Sequence, residues 1–525
     1  MYQIGGCQGT WQSPHNFRFW IYFMLSNQIT RKGHIFMSSQ ATNNNARTKF
    51  YIHCAIMFAL MFIVSKLPPF GDITPLGMQV LGIFAGVVYA WCFLGFLWPS
   101  LLAMILLGCT EYCTVKESFS AGMGNDTIIT LFCLFTFAAY MEESGLSRYI
   151  ANWFISRKVG EGRPWMFTFL LLLATYVLSS FVSLYATIVV MWGIFYNVCE
   201  TIGIEKKSSY STLMICGIAM VSCLTSLLFP FKVFSQVVYG LVVKATGMAL
   251  TIEFIPWFVY NFVLSASMTV FFLLVARFII RPDVSLVKEA GTKYAHLRNV
   301  KMNGEEKIAF VVLVLFIVSQ LIPSFMPQTI PFVALLNNLG VLGCTAIALV
   351  AIAVMRHKNG NPVGHLGNLI RKGVNWDIVI MMAATMPLSA ALESEKTGIL
   401  TTIVSWMTVT FSDVSPTMFL FIIVILFLVA TQLFHNVVLM MIFIPMLAKL
   451  GLAYDIHPFI IGNLVYFCSQ SAFLLPASSG PAAMVYGNEW VASNKAYFYN
   501  TLIILLIAAI LMIVGVPLAQ MLFHF

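Results

Sequence analysis

The sequence predicts an all-α polytopic membrane protein with about 11 spans, arranged as two inverted repeats that each contain a re-entrant hairpin and a broken helix. Three observations support this fold class. Of the 525 residues, 60% are hydrophobic and only 9% are charged, whereas a soluble chain carries about 25% charged residues. Apolar runs long enough to span a bilayer, about 20 residues for a helix, recur along the chain. Motifs of the first half also return in the second half.

The charge and cysteine content argue against several other classes. The chain has 29 Lys and Arg against 20 Asp and Glu, a net charge of +9. In a membrane protein such an excess reflects basic cytoplasmic loops, and no basic run interleaved with aromatic residues indicates nucleic acid. The 11 cysteines are scattered without metal-ligand spacing, so we expect small core residues. The bilayer is the expected environment, and no enzyme activity is expected.

Polar composition divides the chain into four segments. Residues 1–48 have no clear period, and we expect a cytoplasmic or poorly ordered N-terminal extension. The first repeat with its leading helix covers 49–280, a basic linker covers 281–306, and the second repeat covers 307–525. Basic residues precede the first span and fill the linker, so the positive-inside rule places both in the cytoplasm of a cell-membrane protein. The C-terminus is then expected outside.

The internal repeat has a shift near 250 residues. Short apolar runs occur in pairs joined by a turn containing Glu, Ser and Gly, and we expect each pair to form a re-entrant hairpin. The pairs are 127–141 with 147–157, and 376–392 with 399–411. Their turn glycines, Gly145 and Gly398, lie 253 positions apart. Weak two-fold repetition of this kind is typical of secondary transporters.

Acidic residues mark both predicted hairpins. At the turns we expect either solvated carboxylates or a gate, and the candidates are Glu142, Glu143, Glu393 and Glu395. Asp126 and Asp377 open the matched helices, each before an apolar run. Aspartate is a favourable N-cap residue, so we expect both to cap helix N-termini.

Polar interruptions also divide two longer apolar runs at matching places, 178–193 and 430–445, where Ser183 and His435 lie 252 positions apart. A helix broken at bilayer depth frees carbonyls for cations and N-terminal amides for anions. The simpler alternative is that hydroxyls such as those of Ser183 and Thr187 only bond back to their own helix.

A second pair of breaks lies downstream. The stretch LLFPFKVFSQVVYG, 227–240, contains Lys232 among apolar neighbours, and SAFLLPASSGPAAMVYG, 471–487, contains Ser478, Ser479 and Gly480 between two prolines. A charge at bilayer depth costs several kcal/mol. Lys232 therefore either extends to the membrane surface or serves a buried site.

These motifs resemble the divalent anion:sodium symporter family of the ion transporter superfamily, over about residues 50–525. That family has Ser-Asn-Thr at a helix break and hairpin tip once per repeat, and the second copy precedes Leu/Ile-Pro. Here the second copy is HNVVLMMIFIP, 435–445, followed by SQSAFLLPASSGPAAMVYG, 469–487, which is similar to the family's later loop. PPFGDITPLGMQVLGIFAGVVYAW, 68–91, resembles the family's opening. The resemblance implies elevator-like transport of a small anion by a homodimer.

Departures from the family pattern concern its ion sites. The triads read Ser183-Leu184-Tyr185 and His435-Asn436-Val437, so only Ser183 and Asn436 match. In the family, the triads and loops build two sodium sites and hold substrate carboxylates, and the loss of side-chain oxygens argues against sodium coupling. Lys232 precedes its Tyr-Gly glycine by eight residues, as Ser479 does. We therefore hypothesise that Lys232 replaces the first sodium ion or pairs with the anion.

The resulting site prediction covers both repeats. The substrate-binding candidates are Ser183, Thr187, Lys232, Asn436, Ser478, Ser479 and Gly480. The coupling-ion candidates are Ser183, His435 and Asn436, with Na⁺ or H⁺ as the ion, and no other cofactor or metal is expected. His435 could carry a coupled proton or be a hydrogen-bonded core histidine.

The sequence favours a secondary transporter of small anions, either carboxylates or sulfate-like ions. The alternative is a cation/proton antiporter or metalloid-anion exporter of the same superfamily, but the breaks lack the buried Asp that such an exchanger would use. An enzyme would need a convergent set of ligands or a nucleophile with a base, and a channel would need a continuous pore. Few intramembrane charges favour a mono- or dianion over citrate.

Overall fold

The computed structural model describes residues 40–523 except 249, 328, 358–359, 400, 403–404, 407–413 and 477. Apart from an isolated bridge between Arg356 and Pro362, these residues form helices and connecting loops. Eleven of the described helices are long and apolar enough to cross a membrane, or twelve if one bent pair is counted as a span. The predicted all-α polytopic class is confirmed.

The helices are defined here in chain order. They are α1 Gln40–Lys66, α2 Pro75–Phe93, α3 Leu97–Gly108, α4 Val115–Met123, α5 Asp126–Glu143, α6 Leu146–Ile155, α7 Pro164–Phe181, α8 Leu184–Ile202, α9 Ser209–Leu224, α10 Val233–Thr246, α11 Phe254–Val275, α12 Ala290–Lys293, α13 Gly304–Phe325, α14 Pro331–Val354, α15 Leu366–Gly373, α16 Trp376–Glu393, α17 Pro416–Leu433, α18 Asn436–Leu452, α19 Pro458–Gln470, α20 Gly480–Tyr486, α21 Ser493–Ile510 and α22 Val516–Leu522.

Contacts divide the chain into two units, Met1–Ile52 and His53–Phe525. In the first unit the described residues are helical, and the Arg47 guanidinium lies 5.7 Å from the centre of the Tyr51 ring. The prediction for residues 1–39 of the N-terminal extension lies outside the described residues. The second unit holds both predicted repeats apart from residues 49–52.

The two halves of the second unit contain the same series of helices. A short helix, α4 or α15, precedes an 18-residue helix, α5 or α16. A bend of 47° separates α4 from α5. The N-caps are Asn125 and Asn375, whose side chains accept hydrogen bonds from the amides of Thr127 and Ile378. The prediction that Asp126 and Asp377 cap these helices was therefore wrong, since both lie in the first turn, where the helix dipole still favours a carboxylate.

The helices α7 and α9 run parallel to each other. Near their starts, the hydroxyls of Thr168 and Tyr210 lie 2.8 Å apart. Near their ends, the Ser179 hydroxyl donates to the Ser222 carbonyl at 2.7 Å. The order of these contacts along both helices gives their relative direction.

The helix α8 runs against α9. Trp192, before the middle of α8, donates from its indole nitrogen to the Ile215 carbonyl at 3.3 Å. Phe195, further along α8, lies 6.0 Å from the Tyr210 ring, nearer the start of α9. Because α9 is parallel to α7 and antiparallel to α8, the arms α7 and α8 form a hairpin that turns at Val182 and Ser183.

A second hairpin forms from α17 and α18. The rings of Phe427 and Phe443 pack edge to face with their centres 5.2 Å apart. They lie seven to nine residues on either side of a turn at Phe434 and His435. The arms have 18 and 17 residues. Both polar interruptions that the sequence indicated are thus hairpin turns in which the chain reverses, and they do not interrupt a continuing span.

The runs predicted as hairpins have a different arrangement. Gly145, with φ of +80°, separates α5 from α6, and α6 packs mainly against α7 rather than back along α5. The second predicted pair starts with α16, and most of its other arm, 399–411, lies outside the described residues. A hairpin and a break leave the same hydropathy pattern, which is why the sequence predicted a hairpin at Gly145 and helix breaks at Ser183 and His435.

Each repeat also contains a broken helix. The segment from Thr225 to Lys232 separates α9 from α10, and the segment from Ser471 to Ser479 separates α19 from α20. Neither pair of helices packs side by side. The chain therefore continues onward after each break, as the sequence predicted for a broken helix.

The first hairpin opens toward the linker. Arg298 bonds to the Glu161 carboxylate at 2.5 Å, three residues before α7 begins. Lys293 donates to the Thr201 carbonyl at 2.9 Å, in the last turn of α8. Both donors belong to the linker, 281–306. We call this end of the unit the linker side.

The second hairpin opens toward the other end. At its base, Thr417 is hydrogen-bonded to Gln520 at 3.0 Å, and Phe419 stacks on Tyr454 at 4.7 Å. Phe523, close to Gln520, contacts Tyr260 near the start of α11, whose far end leads into the linker. The two hairpins therefore open to opposite sides, which is the arrangement of inverted repeats.

Candidate functional site

The tip of the first hairpin is built by Ser183. This residue is the N-cap of α8, and its hydroxyl oxygen accepts a hydrogen bond from the Ala186 amide at 3.2 Å. The same hydroxyl donates to the Glu142 carboxylate at 2.9 Å. Glu142 lies in the last turn of α5, so this hydrogen bond connects the hairpin tip to a different part of the repeat.

Lys232, at the break between α9 and α10, points into the same hairpin tip. Its ammonium donates to the Ser179 carbonyl at 2.8 Å and to the Val182 carbonyl at 2.5 Å. These carbonyls belong to the C-terminal end of α7, where backbone acceptors lack helical partners and the dipole favours a cation. A lysine reaching for the membrane surface would extend its ammonium into water instead.

A cavity adjoins the tip and the break. Its empty space is about 680 Å³, including space open to the outside. The polar side chains in its wall are those of Ser183, Tyr185, Ser226, Lys232 and Asn375. Most of the remaining wall is aromatic or aliphatic and comes from α5, α13 and α16. The cavity is therefore an apolar chamber with one ammonium at its edge.

The tip of the second hairpin has different chemistry. His435 is the N-cap of α18, but its side chain forms no capping hydrogen bond, and its buried Nδ1 has no partner among the described residues. The edge of its ring meets Phe96 at 5.1 Å. The backbone amide of Asn436 donates to the Ser478 carbonyl at 3.0 Å. Tip and break are thus joined in the second repeat as well, through backbone groups.

In the break of the second repeat, two serine hydroxyls donate hydrogen bonds to carbonyls of the same segment. Ser478 donates to the Leu475 carbonyl at 2.7 Å, and Ser479 donates to the Ala472 carbonyl at 2.6 Å. Gly480 follows directly, and a Cβ there would lie 2.7 Å from the Tyr185 hydroxyl. This contact brings the break of the second repeat against the hairpin of the first.

The predicted residues fall into two groups. Ser183 and Lys232 lie together at the cavity, while Asn436 and Ser478 meet at the second tip. Thr187 is buried one turn into α8, and its hydroxyl has no hydrogen-bond partner within the described ranges.

Sequence reasoning missed three partners. It did not pair Glu142 with Ser183, because the two residues are 41 positions apart. It did not single out Tyr185, although this residue occupies the third place of the first triad. It also overlooked Gln432, which donates to the Leu428 and Ser471 carbonyls, both at 3.1 Å, and accepts from the Leu474 amide at 3.1 Å. An amide in an otherwise apolar run was the available signal.

Two inverted hairpins and two broken helices, with a cavity beside the first hairpin and the first break, are the arrangement of a multi-pass secondary transporter. A family model described as a citrate transporter matches residues 84–466, and the chain belongs to this family. This match does not name the divalent anion:sodium symporter family that the motifs resemble. Membership and fold together make the chain a transporter of small anions.

One solved structure supports the fold. The chain is similar to the Alcanivorax borkumensis YdaH transporter, whose crystal structure is described as having an unusual topology. The TM-score is 0.50 at 12% sequence identity, with 88% of this chain and 97% of that chain covered. At this identity the likeness concerns the fold alone. No curated protein sequence matches the chain.

Proposed function

We propose that this protein transports small carboxylate anions across the cell membrane, and that the Lys232 ammonium supplies the positive charge that sodium supplies in the divalent anion:sodium symporter family. The observation that carries the proposal is the pair of hydrogen bonds from Lys232 to the Ser179 and Val182 carbonyls. Carbonyls at a helix break are typical cation ligands in transporters. Here an ammonium that is part of the chain already binds two of them.

The second repeat supports the same proposal from its own contacts. There the Ser478 carbonyl accepts from the Asn436 amide, and the Ser471 carbonyl accepts from Gln432. These carbonyl oxygens are engaged by donors of the chain itself. This arrangement supports transport that does not require sodium, with protons or counter-transported anions as the proposed coupling ions.

The charge of the cavity bears on the cargo. An anion in a site of low dielectric constant needs a compensating charge nearby. Lys232 is the one cationic side chain among the residues described in the cavity wall. The family description names citrate, whose full charge exceeds that of one ammonium. We therefore propose mono- and dicarboxylates, or partly protonated citrate, as the preferred cargo.

The proposed movement is that of an elevator. The hairpins and broken helices, α7–α10 and α17–α20, would move as one part against the remaining spans, which would also form a homodimer. The N-terminal extension and the basic linker would lie in the cytoplasm. The opposite openings of the two hairpins support alternating access about a pseudo-two-fold axis.

Uptake into liposomes tests the proposal. Purified protein is reconstituted, and uptake of labelled citrate, succinate, malate and sulfate is measured with sodium, with choline in place of sodium, and with an imposed pH gradient. We expect uptake of at least one carboxylate at equal rates in sodium and choline. A sodium requirement would refute the role of Lys232 while leaving anion transport standing, and uptake of sulfate alone would refute the carboxylate cargo.

A further inference from the structure

We propose that Glu142 is an internal competitor of the substrate: its carboxylate occupies the carboxylate position at the tip of the first hairpin when no anion is bound, and an entering anion displaces it. This inference rests on the proposed function, because it concerns the same site. It adds a residue that controls the apparent affinity for the anion without itself lining the cavity.

The first argument is the identity of the donors around the carboxylate. Ser183, whose hydroxyl donates to Glu142 at 2.9 Å, also lines the cavity. The hydroxyl sits at the N-terminus of a 19-residue helix, where free amides carry partial positive charge. Lys232 and Glu142 also attract each other electrostatically. A substrate carboxylate entering the cavity would meet the same hydroxyl, helix end and ammonium.

The second argument is that helix stability does not explain a carboxylate at this place. Glu142 lies in the last turn of α5, and that turn contains no basic residue. The C-terminal end of a helix carries partial negative charge, so an acidic residue there is unfavourable. The electrostatic gain comes from the contact with the hairpin tip, outside α5 itself.

Glu143 supplies a matched control on the same helix end. It has the same charge and is exposed, and it stands one residue further along, so its side chain projects from a different face of α5. The contact of Ser183 is with Glu142. Any effect of general negative charge near the site would appear equally in variants of both residues, whereas competition at the tip would appear only in variants of Glu142.

The expected size follows from the population of free sites. If Glu142 occupies the tip in about nine of ten substrate-free molecules, the apparent affinity for an anion is reduced about tenfold. In Glu142→Gln the amide oxygen can still accept from Ser183, but its attraction to the ammonium is lost. The tip is then mostly free, and an anion binds with nearly its intrinsic affinity.

Equilibrium binding tests the inference without requiring transport. Binding of labelled succinate and citrate to the purified full-length protein is measured for wild type, Glu142→Gln and Glu143→Gln. We expect the dissociation constant to fall about tenfold in Glu142→Gln and to stay unchanged in Glu143→Gln. Glu142→Ala should shift the constant in the same direction, which keeps the test valid if the glutamine variant does not fold.

The outcomes separate the two proposals. If wild type binds an anion and the Glu142 variants bind it no more tightly than Glu143→Gln does, the internal competitor is refuted and the proposed function remains. A fall in the constant of equal size in the Glu142 and Glu143 variants would also refute it, because general charge would then be the cause. If wild type and the Glu142 variants bind neither anion, the carboxylate cargo is refuted, and the inference with it.

Discussion

The Lys232 ammonium lies where two backbone carbonyls have lost their helical partners. Leaving a buried acceptor without a donor costs about 1–3 kcal/mol, and a buried ammonium is costly unless it is fully hydrogen-bonded. At the tip of the first hairpin the ammonium supplies the donors that the two carbonyls lack, and the carbonyls supply acceptors for the ammonium. The carbonyls are neutral, so they leave the charge of the ammonium uncompensated beside a cavity whose wall is mostly apolar. Such a chamber favours an anion that can reach the ammonium.

Replacement of this lysine should stop transport. We expect Lys232→Ala to reduce carboxylate uptake in liposomes by about 30-fold or more, because an anion bound in the cavity would lose its charged partner, at a cost of about 2 kcal/mol or more. The matched control is Lys244→Ala, an exposed lysine on the same helix α10. Near-normal uptake by Lys232→Ala would contradict the proposed role of the ammonium.

His435 separates two hypotheses about coupling. Its ring packs edge-on against Phe96 and does not line the cavity that holds Lys232. We therefore expect uptake by His435→Gln to keep its response to an imposed pH gradient, measured in the same liposomes as wild type. Loss of that response, with uptake otherwise intact, would make His435 the site of the coupled proton.

At the scale of helices, the sequence predicted where helical structure is interrupted better than it predicted the direction in which the chain continues afterwards. Apolar runs and their polar interruptions correctly predicted where Ser183 and His435 interrupt helical structure. They did not predict that the chain reverses there, because a reversal and a break expose the same few polar residues. The reversal is recognised only from long-range contacts of α9 with both arms of the first hairpin. A local sequence pattern does not contain these contacts.

The N-cap residues of α5 and α16 could not be predicted from local sequence either. Asn125 with Asp126, and Asn375 with Asp377, offer candidate capping side chains within two positions of each other, and both residue types are good N-caps. The start of the helical backbone selects the asparagines. The prediction for Glu142 was limited for a related reason: the sequence marks it as a solvated carboxylate or a gate at a turn, and only the fold brings it to Ser183.

Close packing between the repeats gives a prediction about stability. A Cβ on Gly122 in α4 would lie 2.3 Å from the Ala383 carbonyl oxygen in α16, and this backbone atom cannot move aside cheaply. We expect Gly122→Ala to destabilise the fold by about 1–3 kcal/mol, measured as a lower midpoint of thermal unfolding in detergent. Gly193→Ala in α8, where a Cβ meets nothing within 4 Å, should leave the midpoint unchanged or raise it. Equal midpoints for both variants would contradict this packing.

For the molecule as a whole, the shift near 250 residues and the basic linker allowed two inverted repeats to be predicted. The structure adds how the repeats meet. The break of the second repeat contacts the first hairpin through Gly480 and Tyr185, while Ser183 reaches Glu142 in α5. The first contact lies within the part that we propose moves, and the second crosses its boundary. An elevator must break the second kind of contact and keep the first.

A pair of disulfides tests that division. A Cβ on Gly240 in α10 would lie 3.0 Å from the Cβ of Thr127 in α5, so Thr127→Cys with Gly240→Cys can form a disulfide after a shift of about half an ångström. This bond would join the moving part to the remaining spans. With the native cysteines outside the buried core replaced by alanine, we expect oxidation to reduce uptake at least about tenfold, because locked parts cannot alternate, and reduction to restore it.

The matched control joins two helices of the moving part. A Cβ on Gly462 in α19 would lie 2.7 Å from the Val238 side chain in α10, so Val238→Cys with Gly462→Cys places a second disulfide two residues from the first along α10. Its oxidation should leave uptake unchanged, because α10 and α19 travel together. If uptake continues while the pair at Thr127 and Gly240 is fully oxidised, α5 and α10 do not move against each other, and the proposed division of the molecule is wrong. If both disulfides stop uptake equally, motion within the hairpin and broken-helix part is required instead.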